Sequence, residues 1–258
     1  MRGLQFSAFT IGITFSVFMA GQLHSQAKSN LPSPTIAKFR VPFVGCKGES
    51  QGDPVAAPNG TNKNVVISQQ AAQRLAYYKG KFGEGVLAPR GWYCSEASGT
   101  SGATLYVSQN PIPSNVPVSS NGPAVVLRME SGGTSGRFGV AEVIARVFPA
   151  FLPFVDRVIA EGTSPASSYV RQPFPFDHLT YRSNRIVEYQ TQGDYAGLGT
   201  LESGLKPDAN PISGVAILDG DTPDMILLSV RLPKDSSGLG SEIIDEVEYE
   251  TAFPGSSK

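Results

Sequence analysis

Three groups of residues in this chain have types that could do chemistry, and each also has a plain structural use. The first lies on a turn. Ala88-Pro89-Arg90-Gly91 reads as a type I turn, with Pro presetting φ at the second position and Gly favoured at the fourth. It delivers Arg90 beside Trp92 and Tyr93. A guanidinium next to aromatic rings suits a carboxylate, a sugar or a peptide. Trp92 equally fits a core position beside a disulfide, because Trp is highly buried on average.

The second group is nucleophilic. The chain has two His, and His24 falls in a leader that processing would remove. Any Ser–His or Cys–His mechanism, or any His-ligated zinc, therefore depends on His178 alone. Asp177 is its sequence neighbour, but adjacent strand residues face opposite ways, which makes them poor triad partners. Ser135, in Gly133-Thr134-Ser135-Gly136, is one residue short of a nucleophile elbow. Similar Gly/Ser/Thr strings recur elsewhere in the chain, so the match has little specificity.

The third group is acidic. Asp219, Asp221 and Asp224 cluster in LDGDTPDM, where a hard cation is conceivable. The pattern lacks the length and the terminal Glu of an EF-hand, and an Asp/Gly/Pro turn between strands needs no metal. No metal site and no cofactor is expected. Paired carboxylates for glycoside hydrolysis need no fixed sequence spacing, so they stay open among 22 acidic residues. The Gly-rich stretch Ser131–Gly139 separates a strand from a helix and could cradle an anion. It is neither a Walker A loop nor GxGxxG.

The elements that must position these residues follow from patterning. Arg2, the apolar run Phe6–Ala20 and Ser25-Gln26-Ala27 together read as a secretory signal peptide over residues 1–27. The apolar run is short for a membrane span, and no second long one follows. Removing Arg2 with the leader leaves 20 basic and 22 acidic side chains, a net charge of −2. With no basic stripe, nucleic acid is excluded as a partner. The expected product is exported, periplasmic or extracellular, and a single domain over residues 28–258, with residues 28–35 loosely ordered.

In such a compartment the two cysteines, Cys46 and Cys94, most simply form one bridge. The rival is a thiol nucleophile or a metal ligand. Strands are expected at Ile36–Val44, around Trp92–Cys94, and at Thr104–Val107, Ala124–Met129, His178–Tyr181, Ile186–Tyr189, Val215–Leu218 and Met225–Val230, with Val86–Ala88 leading into the turn. Gly48–Asn64 reads as a surface loop, and Asn110–Gly122 and Gly193–Gly204 as irregular connections. Ser68 reads as the N-cap of a helix ending near Gly80, and Val140–Phe148 and Phe154–Ile159 as two helices punctuated by Pro149 and Pro153. An acidic helix is expected over Glu242–Glu250, capped at Ser241, with Ile243, Ile244 and Val247 inward and its acids solvated. The fold class is α+β: a mainly antiparallel sheet with hairpins, a few packing helices and one disulfide.

The runs VLAPRGWYC (Val86–Cys94), VEYQT (Val187–Thr191), GLGT (Gly197–Thr200), PISG (Pro211–Gly214) and LLSVRLP (Leu227–Pro233) resemble a family of uncharacterised exported bacterial proteins sharing a VLAPRGW-x-C motif. The resemblance implies an exported globular protein with a Cys46–Cys94 bridge, and it transfers no catalytic residue. The functional expectation is a non-enzymatic binding or envelope-accessory module for a small molecule, glycan or protein, recognised at Arg90, Trp92 and Tyr93. The alternatives are a hydrolase of an envelope polymer, through paired carboxylates or His178, and a structural partner of another secreted protein.

Overall fold

The computed structural model describes residues 38–112, 122–201 and 203–252. The expected signal peptide and leader, and part of the connection after Asn110, lie outside the described residues. The chain enters as β1 (Phe39–Gly45), passes through Cys46 and continues as β2 (Lys47–Ser50). One extended run thus serves two sheets. Strand β1 pairs in the four-stranded sheet, while β2 pairs in parallel with β7 (Tyr93–Ser98) of the nine-stranded sheet. Cys46 sits at that crossing and bonds Cys94 on β7, with Cα atoms 5.3 Å apart.

The segment expected as a loop, Gly48–Asn64, is instead mostly paired. A tight turn at Gln51 and Gly52, both at positive φ (53° and 92°), joins β2 to β3 (Asp53–Val55). Left-handed backbone at both central positions is the hairpin turn whose twist matches flanking strands. Strand β4 (Asn62–Val65) then pairs with β1. The composition hid these strands because they are polar and lie at or beside sheet edges, where alternation is weak.

Ser68 caps α1 (Gln69–Arg74), its hydroxyl accepting the Ala71 N–H. The helix stops at Arg74 rather than near Gly80. The next residues form β5 (Leu75–Lys79), flanked by β1 and by β6 (Val86–Pro89). Pairing on both sides outweighs the helical spacing of Ala71, Leu75 and Ala76, a tertiary override of a weak local preference. The following turn is centred one residue later than expected. Gly91 has φ 79°, the left-handed geometry that favours glycine.

The remaining strands, β8 (Gly102–Ser108), β9 (Ala124–Glu130), β10 (Asp177–Tyr181), β11 (Ile186–Thr191), β12 (Ile212–Asp219) and β13 (Asp224–Arg231), complete the large sheet. Its order is β10-β11-β12-β13-β9-β8-β7-β2-β3, antiparallel except between β2 and β7. Alternating side chains give it two apolar faces. One, with Leu105, Leu127, Val215 and Leu228, packs on Tyr77 and Leu87 of the small sheet and on Ile243, Ile244 and Val247 of α4 (Gly240–Ala252). The other, with Val187, Leu218 and Leu227, packs on α2 (Arg137–Val147) and α3 (Leu152–Ala160). A short 3-10 turn over Pro149–Phe151 separates those helices, as prolines that cannot continue a helix require.

Helix α4 begins at Gly240, directly after a 3-10 helix over Lys234–Leu239. Ser241 is therefore inside the helix and not its cap. The fold is α+β, mainly antiparallel, with one disulfide. Among the described residues no helix is long and apolar enough to cross a membrane.

Candidate functional site

The turn that carries Arg90 holds the protein together locally. Arg90 Nε donates to the Leu75 carbonyl at 3.0 Å and Nη2 to the Ala72 carbonyl at 2.6 Å. A cation on the last carbonyls of α1 satisfies acceptors that the helix leaves orphaned and opposes the negative end of its dipole. Trp92 is half-buried against the core, and its backbone N–H donates to the Tyr78 hydroxyl at 3.1 Å. Tyr93 is exposed, at 52%, as is Arg90. None of the three lines the cavity beneath Phe82 or the clefts around His178.

A cavity of about 580 Å³ opens elsewhere. Its floor is the end of the large sheet, where Ala103, Met129, Ile217 and Ile226 come from four neighbouring strands and share one face. Phe82 and Gly83 stand over it on the loop between β5 and β6. Several bonds fix that loop: Glu96 Oε2 accepts the Phe82 N–H at 2.9 Å, Lys79 Nζ donates to the Gly83 carbonyl at 2.8 Å, and the Glu84 N–H donates to Met129 Sδ at 3.0 Å. Glu96 is buried, and burial raises the pKa of its carboxyl. A Cβ on Gly80 would meet that carboxylate at 2.1 Å, so glycine is what lets the loop approach it.

The charged residues lining this cavity are Glu130, Asp219 and Asp224, with no Lys, Arg or His among them. Glu130 is paired with Arg128. One oxygen of Asp224 accepts the Gly132 N–H at 3.0 Å and one of Asp219 accepts the Gly220 N–H at 2.8 Å. The acidic turn thus serves both as a hairpin connection and as the polar rim of an apolar cleft. Among the described residues no cluster of His, Cys, Asp or Glu is arranged to hold a metal.

A second, polar cleft runs along the β10 edge. His178 and Gln190 are directly opposed in the β10–β11 register, as are Thr180 and Glu188, so each pair projects from the same face. Helix α4 brings Ser241 and Asp245 to the other wall. Glu188 is ion-paired with Arg182. Burial, and then the adjacent Glu188 charge, push the Glu248 carboxyl up to about 7, and the same two causes raise Asp245. His178 thus lies in a cleft with carboxylates. Ser135, exposed on the β9–α2 connection, shares no cavity with it.

Sequence reasoning missed Phe82, Met129, Met225 and Glu188 as site residues. Their one shared signal is strand and loop-end placement, which becomes visible only when register is known. Compared with known protein families, with curated proteins and with solved structures, the chain matches none.

Proposed function

We propose that the protein is an exported, non-enzymatic binding module whose ligand is a compact amphiphile with an apolar body and a cationic or hydrogen-bond-donating end. The observation that carries this reading is the 580 Å³ cavity. Its size falls within the range of small-molecule sites, and its lining sets an apolar floor of Ala103, Met129, Ile217 and Ile226 inside a rim of hydroxyls and carboxylates. Met129 supplies adaptable apolar surface. Asp219 and Asp224 disfavour an anionic ligand and favour an amine or a donor, Glu130 being ion-paired with Arg128. Export is supported by the basic-apolar-small pattern of residues 1–27, and the Cys46–Cys94 bridge is compatible with an oxidising compartment.

The test is calorimetric titration of the protein with 4-phenylbutylamine and, separately, with 4-phenylbutyrate. The amine binds and the carboxylate binds at least about tenfold more weakly, a difference of roughly 1.4 kcal/mol. Asp224→Asn, which keeps an acceptor for Gly132 while removing the charge, narrows that preference. Equal binding of the two compounds, or no binding of the amine, sinks the reading.

A further inference from the structure

We infer that the polar cleft along β10 and β11 is a binding groove for a neutral oligosaccharide. This inference is independent of the amphiphile site, which lies on different residues. Two cavities, of about 450 and 520 Å³, share His178 and Gln190 and so lie side by side along the sheet edge. The first extends toward α4 and ends on Asp245, while the second extends toward Gln192 and Asp194. Paired cavities of this kind suit a chain of rings better than a single compact ligand.

The chemistry of the lining points the same way. A sugar ring presents hydroxyls around its rim and C–H groups on its faces. Planar amide, carboxylate and imidazole groups can accept from one hydroxyl and donate to, or accept from, the next. His178, Gln190, Gln192, Glu188, Asp194 and Asp245 are all of this kind. They contrast with the apolar lining of the larger cavity.

The second component of sugar recognition is an exposed aromatic face on which C–H groups can stack. Phe176 and Tyr195 stack on each other with centroids 3.8 Å apart, yet remain 41% and 40% exposed. Exposed large apolar side chains held together mark interaction sites. Phe176 lies two residues before His178 and Tyr195 directly follows Asp194, so the pair adjoins two of the three chain segments that line the second cavity, without lining it. The Phe176 carbonyl accepts the Gln192 N–H at 3.3 Å, and the Tyr195 N–H donates to the Gln192 carbonyl at 3.4 Å.

The rim is also built to stay in place. Asp194 holds a left-handed backbone (φ 67°), and its N–H donates to the Asp208 carbonyl at 2.7 Å. A Cβ on Gly193 would meet the Ala209 carbonyl oxygen at 2.5 Å, so the two loops are in close contact. Beneath them, Asp177 ties the start of β10 to the end of β11 and the loop beyond it through the Thr191 hydroxyl and the Leu198 N–H, each at 2.7 Å. A rim fixed before binding reduces the ordering cost of a weak, polar ligand. Three lining carboxylates against Arg182 and His178 favour neutral over acidic sugars.

The test is nuclear magnetic resonance titration of the 15N-labelled protein with maltotriose, cellotriose and triacetylchitotriose, and with trigalacturonic acid as the acidic counterpart. At least one neutral trisaccharide shifts the amides of His178, Gln190 and Gln192 saturably, with Kd of about 1 mM or tighter. Tyr195→Ala and Gln190→Ala, both at exposed side chains, each weaken that binding at least about fivefold with unchanged Tm. Trigalacturonic acid binds at least about tenfold more weakly. The inference is overturned if no neutral trisaccharide produces shifts at about 20 mM, if the shifts map to Phe82, Met129 and Met225, or if both variants bind as the parent does.

Discussion

Glu246 Oε2 accepts the backbone N–H of Val66 at 2.8 Å, joining positions 180 residues apart. It is one of three such contacts at successive turns of α4. Glu242 accepts the Ser68 N–H at 2.9 Å, and Glu250 pairs with Lys63 at 3.0 Å. The stripe expected to be solvated is the helix's docking edge against β4 and the start of α1. Backbone donors that follow the last pairing of β4 need partners, and carboxylates spaced four apart on one helix supply them.

That arrangement makes stability depend on pH. Glu246 is 2% exposed, and burial raises its pKa to about 7. A raised carboxyl pKa means that the folded state binds more protons than the unfolded state between about 4.5 and 7. Stability therefore falls as pH rises through this window. Glu248 acts in the same direction. Urea unfolding at pH 5 and pH 8 should show the protein more stable at pH 5. Glu246→Gln keeps an acceptor for Val66 and removes the buried charge, so it should add about 1–3 kcal/mol at pH 8 and almost nothing at pH 5. A variant that is destabilised equally at both pH values contradicts this account.

Reduction should be costly. The Cys46–Cys94 bridge has a sequence separation of 48, for which loop-closure entropy gives about 4 kcal/mol. Thermal unfolding with and without dithiothreitol, and of Cys46→Ser/Cys94→Ser, should show a Tm lower by several degrees in both cases. An unchanged Tm would mean that the crossing of β1 into β2 is held by strand pairing alone.

Arg90 and Tyr93 should separate cleanly. Arg90→Ala removes two hydrogen bonds to carbonyls at the end of α1 and should cost about 1–3 kcal/mol. Tyr93→Ala, at an exposed side chain, should stay within about 0.5 kcal/mol. Chemical denaturation of the two variants checks the ordering.

Arg231 is fully buried, with Nη1 3.2 Å from Asp208 Oδ2 and Nη2 donating to the Lys206 carbonyl. Burial lowers its pKa, opposed by the Asp208 charge. Asp208→Ala leaves the guanidinium without its counter-charge and should cost about 3–5 kcal/mol, whereas Arg231→Met, which removes the buried charge, should cost less. The reverse order, measured by urea unfolding, would show that the 206–211 loop depends on the cation itself.

What the sequence determined by itself was local or counted. Alternation placed the hairpins β10–β11 and β12–β13, and 3.6-residue spacing with Pro149 and Pro153 placed α2 and α3. Ser68 announced its own cap, and two cysteines allowed one intramolecular bridge. Each of these rests on neighbours in sequence or on a tally, which is why it could be read there. Tertiary structure alone decided that Leu75–Lys79 is a strand, because its pairing partners β1 and β6 are separate segments. It also decided that Glu246 faces a backbone N–H rather than water, since nothing near position 246 encodes the edge of β4. The two clefts belong to the same class. Met129, Ile217 and Ile226 share a cavity, and His178 and Gln190 a groove, only through strand register, a long-range pairing with no counterpart in local spacing.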